Sequence, residues 1–303
     1  MTTVSRRTLL KTAGSASVAA AISMMAPAAH LRAAQPALPM IGRIVQMPKG
    51  DVTIHTYVAP AASFLVTSHI IETPNQLVVV DAQFLQTAAR EVRAYAESLG
   101  KPIDRVIVSH AHPDHWSGTN IFEGVPVVST AAVAAGIQAD IDGGGIQQRI
   151  GMVGESEVPA TPLVPEGSLE AGTLTIDGVN IEVEVVANAE SPEQAVLRLP
   201  DQGVIVLQDL LYSDSHFFPG VDRANWASLL EGLRAEGGFD TLLAGHGLPA
   251  SRGELTQAIK YLNFASEVAA SASSADEVVA ALTAEFRGYD VEGILQFWGL
   301  FFQ

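Results

Sequence analysis

Six residues, His110-Ala111-His112-Pro113-Asp114-His115, hold three of the eight histidines of a 303-residue chain. They follow directly on an apolar run, in the stretch VIVSHAHPDHWSG. Residues two apart in an extended segment project to the same side, so His110 and His112 can grip one cation together. Asp114 and His115 fall on the following turn and face a nearby point where a second cation could sit. Imidazole with carboxylate suits zinc, manganese or iron. Such a cation usually takes about four ligands, so the loop cannot complete two sites alone. The competing explanation is a set of surface polar residues with Asp114 as N-cap of the next helix.

The elements around the loop decide what can reach it. RVIVS reads as a buried strand with the His/Asp loop at its C-terminal end. Before it, SFLVTSHII (Ser63–Ile71) and QLVVVDA (Gln76–Ala82) read as adjacent strands joined by ETPNQ. A helix is expected from Gln86 to Leu99, stopped by Gly100-Lys101-Pro102. VPVVS makes another short strand before an Ala-rich helix. Asp142 to Pro165 reads as a long connection, and such connections are usually functional or disordered. TLTID-GVN-IEVEVVA and AVLRLP-DQG-VIVLQD then read as hairpins, the second ending in Asp209. A helix from Arg223 to Glu236 precedes DTLLAGHG, a strand ending in His246. SRGE at Ser251 and SSADE at Ser274 resemble capping boxes that open helices over about 251–303. The apolar end, GILQFWGLFFQ, is expected to pack on the core or to serve a homodimer.

Composition narrows the chemistry. The chain has no cysteine, which removes disulfides, thiol nucleophiles and Cys-ligated zinc. At the N-terminus SRRTLLK is followed by an apolar, Ala-rich stretch and then Ala26-Pro27-Ala28, the order of an export signal over residues 1–28. The Arg6-Arg7 pair resembles a twin-arginine signal and predicts a periplasmic or secreted protein without stable membrane insertion. Its removal takes away Arg6, Arg7 and Lys11 and no acid, moving the formal charge from −16 to −19. So acidic a surface repels nucleic acid and anionic membranes and points to a small-molecule substrate. Residues 29–48 read as an Ala/Pro-rich linker and 49–303 as the folded domain.

The order H-x-H-x-D-H at a strand end, then Asp209 and His246 at later strand ends, resembles the metallo-β-lactamase superfamily. The resemblance covers roughly Val52 to Gly253 and implies an α/β fold, an αββα four-layer sandwich with metals at one sheet edge. It implies that Asp209 bridges two divalent metal ions, that His246 is the final histidine ligand, and that Asp81 supports the loop from behind. One position departs from the common pattern. Where the family carries a histidine before a proline and an apolar strand, this chain has NAESPEQAVLRLP, with Glu190 in the histidine's place and Glu193 as a rival. A glutamate there is similar to the alkylsulfatase branch. That branch usually carries further C-terminal domains, for which the residues after Gly253 are too few.

The resemblance therefore implies His110, His112 and Glu190 around one metal, Asp114, His115 and His246 around the other, and Asp209 between them. Zinc is the first expectation, with Mn²⁺ or Fe²⁺ favoured somewhat by the extra carboxylate. A hydroxide held between the metals would attack an ester, lactone, amide, β-lactam or sulfate ester, with Asp114 or Asp209 passing the proton on. His216, Tyr212 and Trp116 are the substrate-binding candidates, with Phe217, Phe218 and the Met152 segment as further apolar wall. His55 and His69 are lone histidines, His69 inside a strand. The rival functions are an iron-dependent oxidoreductase and a non-catalytic metal-binding protein.

Overall fold

The structure, a computed structural model, describes residues 40–302; the stretch read as an export signal and most of that read as a linker lie outside the described residues. One sheet places side by side, in this order, β1 (Arg43–Lys49), β2 (Val52–Val58), β3 (Thr67–Glu72), β4 (Leu77–Val80), β5 (Ile103–Ile107) and β6 (Val127–Val128). β1 to β4 are antiparallel, and β4, β5 and β6 run parallel. A second sheet is built from β7 (Gly172–Ile176), β8 (Val179–Ala187), β9 (Glu193–Leu199), β10 (Val204–Tyr212) and β11 (Thr241–His246), in the order β11-β10-β9-β8-β7. Only its β10–β11 pair is parallel.

Helices cover both outer faces. α1 (Gln86–Ser98), α2 (Pro113–Trp116), α3 (Ala131–Asp142) and α4 (Gly145–Val153) belong to the first sheet's side. α5 (Arg223–Glu236), α6 (Gly253–Ser271), α7 (Ala275–Glu285) and the 3-10 segment Glu292–Phe301 belong to the second. The two-residue period of a strand sorts the core. Val78 and Val80 face the other sheet, where they meet Leu197 and Val206, while Leu77 and Val79 face α1. The expected αββα sandwich is the architecture found. Among the described residues no helix is long and apolar enough to cross a membrane.

Four local readings change. The linker gives way at Arg43 to β1, which pairs along its length with β2. Ser63–Leu65 is not strand but a 3-10 turn running into Phe64 and Leu65, both left-handed at φ 58° and 55°. Asp142–Pro165 is not one long connection: Gly144 at φ 87° ends α3, and α4 follows because Ile146 and Arg149 give it a buried stripe. The Ser251 box does not form, since α6 opens without a side-chain cap and Glu254 N–H donates to the Ser251 carbonyl instead. At Ser274 the cap is present, its hydroxyl accepting from Glu277 N–H. The apolar C-terminal segment finds partners within the chain, as Ile294, Leu295 and Trp298 are buried against the α5–α7 side.

The loop after β5 must lie tightly on the end of β4. A Cβ at Gly118 would stand 2.1 Å from the Ala82 carbonyl oxygen and 2.4 Å from the Ala89 methyl. Gly118→Ala should therefore destabilise the fold by about 1–3 kcal/mol, the usual cost of overpacking. Urea unfolding measures this; an unchanged midpoint would show that the loop has room to move.

Candidate metal centre

The His/Asp loop leaves β5 with Val108 N–H still bonded to the Val128 carbonyl, so His110 starts from a fixed register. Pro113 then opens α2, with Asp114 in its first turn and His112 at the N-cap position. No side chain caps that turn, so Asp114 is free for the cluster. The second sheet supplies the rest. Asp209 lies in β10 after a register shift at Gln208, whose backbone is left-handed at φ 43°. Such irregularities re-aim a side chain. His246 ends β11, and Glu190 sits in the turn between β8 and β9 after left-handed Asn188.

Two four-residue groups result, with potential ligand atoms all within 4.8 Å of one another in each, and a three-residue group of Asp81, His110 and His115 overlaps them. Of the four-residue groups, one comprises His110, His112, Glu190 and Asp209; the other comprises Asp114, His115, Asp209 and His246. Asp209 belongs to both. His112 Nδ1 is 3.1 Å from Glu190 Oε1, and His115 Nε2 is 3.0 Å from Asp209 Oδ1. Asp114 Oδ2 lies 3.5 Å from His115 Nε2 and 3.4 Å from His246 Nε2.

Hydrogen bonds behind the histidines decide which nitrogen faces inward. His246 Nδ1–H donates to the Phe64 carbonyl at 2.6 Å, and His115 Nδ1–H donates to Asp81 Oδ2 at 2.7 Å. Ser109 Oγ gives its own proton to Asp81 and so accepts from His110 Nδ1–H at 2.9 Å. Each of these rings therefore turns its Nε2 to the centre, the nitrogen a metal would take in exchange for a proton. His110 Nε2, His115 Nε2, Glu190 Oε2 and Asp209 Oδ1 are buried without a hydrogen-bond partner. Buried polar atoms are rarely left so. Oxygen and imidazole donors in two four-residue sets that share a carboxylate fit a pair of divalent cations.

Electrostatics point the same way. Burial would raise Asp209, but His115, His246 and His110 outweigh it and hold the carboxyl well below its usual range. Asp114 is likewise lowered despite burial, chiefly by His115. Burial would lower His112, yet Glu190 dominates and holds it up at about 9. His115 and His246 are raised against burial, chiefly by Asp209. The carboxylates thus call for positive charge at the centre. Tyr212 is buried, donates to Asp209 Oδ2 at 2.9 Å and is pushed well above the usual phenol range by burial and these carboxylates.

A cavity of about 240 Å³ opens on this centre. His112, Asp114, Asp209, Tyr212 and His246 form its polar end, while Phe218, Phe297 and Met152 stand among its apolar walls. Two substrate-binding expectations are corrected. His216 is buried away from the cavity, its Nδ1 3.1 Å from the Tyr261 hydroxyl, because the segment after Tyr212 turns into the core. Trp116 is fully buried, its indole N–H donating to the Ala111 carbonyl, and it reaches the cavity only through Arg149, whose guanidinium lies 4.9 Å over its ring. Phe217 is core too, stacked between Tyr212 and Tyr261. Glu193 is held by the Thr130 hydroxyl and stands outside both groups. His69 is core, lowered to about 4 by burial, and His55 lies between Tyr95 and Glu72. Sequence reasoning missed Gly245: a Cβ there would stand 1.8 Å from Asp209 Oδ1. A glycine inside a strand pattern just before His246 was the available signal for that close approach.

Comparison with known proteins follows the same outline. The family model described as "Metallo-beta-lactamase superfamily" matches residues 63–246, more than half of the chain. A linear primary-alkylsulfatase of Pseudomonas sp. is 24% identical over 229 residues, spanning 63% of this chain. The chain covers 43% of that relative's length. Among solved structures, a metallo-beta-lactamase from Pontibacter korlensis superposes with a TM-score of 0.57 at 19% identity, covering 73% of this chain and 99% of its own. A stereoselective inverting sec-alkylsulfatase from Pseudomonas sp. gives 0.60 at 20% identity, covering 84% of this chain and 49% of its own. At these identities the structures bear on the fold alone.

Two outcomes test the centre. Zinc added to metal-free protein at pH 7 must displace protons from the raised imidazoles, so calorimetric heats should differ between phosphate and Tris by the buffers' ionisation enthalpies. Equal heats would mean the imidazoles are already neutral. Asp81→Asn, which weakens the hold on His115 and Ser109, should lower zinc affinity about 10–100-fold.

Proposed function

The chain belongs to the metallo-beta-lactamase superfamily, and on that premise we propose that it is an exported, binuclear metal-dependent hydrolase of small molecules. The observation that carries the reading is the pair of four-residue clusters joined through Asp209. His110, His112 and Glu190 would hold one ion and Asp114, His115 and His246 the other, with Asp209 available to both. Zinc is the first choice for both, since the donors are imidazole and carboxylate, with Mn²⁺ or Fe²⁺ as alternatives. When bound, the ions supply a water acidic enough to act as nucleophile near neutral pH and positive charge for the transition-state oxyanion.

The chain's own residues do the remaining work. Asp114, partly exposed and lining the cavity, is placed to accept the attacking water's proton and to deliver it to the leaving group. Tyr212 stays a neutral phenol and positions Asp209, with its hydroxyl 3.4 Å from Glu190 Oε1. The apolar walls exclude bulk water, which strengthens every charge interaction inside. Export rests on the Arg6-Arg7 segment, outside the described residues.

Metal quantification on protein purified without added metal, coupled to a screen of esters, lactones, β-lactams and sulfate esters, tests the reading. Two divalent ions per chain and hydrolysis in at least one class are expected. His112→Ala and Asp209→Ala should each reduce that activity beyond the 10–100-fold typical of outer partners. Iron with oxygen consumption would instead mark an oxidoreductase, and unaffected variants a non-catalytic protein. Glu190→His removes a carboxylate, leaves the site more positive and should shift the acidic limb of the pH–rate profile to lower pH.

A further inference from the structure

The C-terminal segment reaches the cavity along a defined path. Asp290 N–H donates to the Asp214 carbonyl and the Asp290 carbonyl accepts from His216 N–H, which ties the segment to the loop that follows Tyr212. Val291 then adopts φ 64° and ψ 42°, a left-handed conformation that a β-branched residue rarely takes. From this bend the 3-10 segment Glu292–Phe301 buries Trp298 and turns Ile294, Phe297 and Leu300 onto the cavity. Across from them α4 contributes Met152. Met152 and Leu300 are 53% and 60% exposed, an apolar lip at the mouth of a cavity whose inner end is charged.

The charge of the walls is as informative as their apolarity. Among the described residues around the cavity Arg149 is the one arginine or lysine. It is 4% exposed and lies 2.7 Å from Asp140 Oδ2 in an ion pair, so its charge is already answered. At the centre Asp114, Glu190 and Asp209 would offset three of the four charges that two divalent ions would bring. The cavity walls thus offer an anionic head group no unanswered arginine or lysine among the described residues and offer a carbon chain several apolar side chains.

Resting on the hydrolase reading above, we propose that the substrate is a neutral carboxylic ester with an apolar acyl chain, which lies between Met152 and the C-terminal segment. Water adds its oxygen to the acyl carbon, the bond from that carbon to the leaving oxygen breaks, and the water's proton passes to the leaving oxygen. Acid and alcohol result, with no oxidant or reductant. Phe297 and Leu300 set the preference for chain length.

The zinc-loaded protein is assayed with 4-nitrophenyl acetate, 4-nitrophenyl octanoate and 4-nitrophenyl sulfate, and calorimetry compares binding of 2-octanone with octyl sulfate. The octanoate should exceed the acetate in kcat/KM on the order of tenfold or more. Phe297→Ala and the more exposed Leu300→Ser should each shrink that ratio, whereas Ile41→Ser, an exposed apolar residue away from the cavity, should leave it unchanged. 2-Octanone should bind more tightly than octyl sulfate. A ratio at or below one, or tighter octyl sulfate, overturns this substrate class while the hydrolase reading stands on turnover of any of the three chromogenic substrates. If none is turned over the ester assignment is overturned, the lactone and β-lactam arms of the wider screen decide the hydrolase reading, and the ketone-against-sulfate comparison still decides which ligand the cavity accepts.

Discussion

One buried carboxylate organises the centre without facing it. Asp81, fully buried at the end of β4, accepts Ser109 N–H, Ser109 Oγ–H and His115 Nδ1–H, each at 2.7 Å, and also the Gln208 side-chain amide. A charge taken out of water costs several kcal/mol unless it is hydrogen-bonded, and here both carboxylate oxygens accept. The donors come from the loop after β5 and from β10, so the same carboxylate joins the two sheets at the edge where the site lies. It fixes the tautomer of His115 directly and that of His110 through Ser109. Asp81 itself sits at φ 62°, which aspartate tolerates better than most residues.

Backbone strain is concentrated on the same edge. Phe64 and Leu65 are left-handed in succession, and that turn presents the Phe64 carbonyl to His246 and the Leu65 carbonyl to Gly247 N–H. Gln208 at φ 43° tilts Asp209 toward its neighbours, and Gly245 on the adjacent strand leaves room for the carboxylate. Each such residue costs on the order of 1–3 kcal/mol and persists only where its surroundings over-determine it. The two-sheet core is the surrounding that does so, with Val78, Val80, Leu197 and Val206 closing the space directly behind the site.

Much of this was legible beforehand, for reasons that are themselves physical. His110, His112, Asp114 and His115 are near neighbours in sequence, so their convergence needs one strand end and one turn. Asp209 and His246 end apolar runs, and ends of adjacent strands lie together. Glu190 and Glu193 were both open, because register inside a turn is set by tertiary contacts, here Thr130 holding Glu193. His216 and Trp116 misled because an aromatic or histidine beside a site looks alike in sequence whether it faces the cavity or the core. The Arg149–Asp140 pair and the return of the C-terminal segment depend on how α4 and α7 pack, which no local pattern encodes.

Glu190 is the residue where the sequence pattern and the energetics bear on each other. It is fully buried, 3.1 Å from His112 and near the Tyr212 hydroxyl, and its Oε2 has no hydrogen-bond partner. With Asp209 close by, that makes two carboxylates in one dry pocket, and like charges so placed repel strongly. A histidine at this position would be neutral at little cost; a glutamate requires matching positive charge. Protonated His112 answers part of it, but a proton on that ring occupies the lone pair that a ligand must offer. A cation between the carboxylates and the imidazoles satisfies Glu190, Asp209 and His112 at once. Without a cation the two carboxylates would face each other out of water, so the full burial of Glu190 favours a cation at this centre.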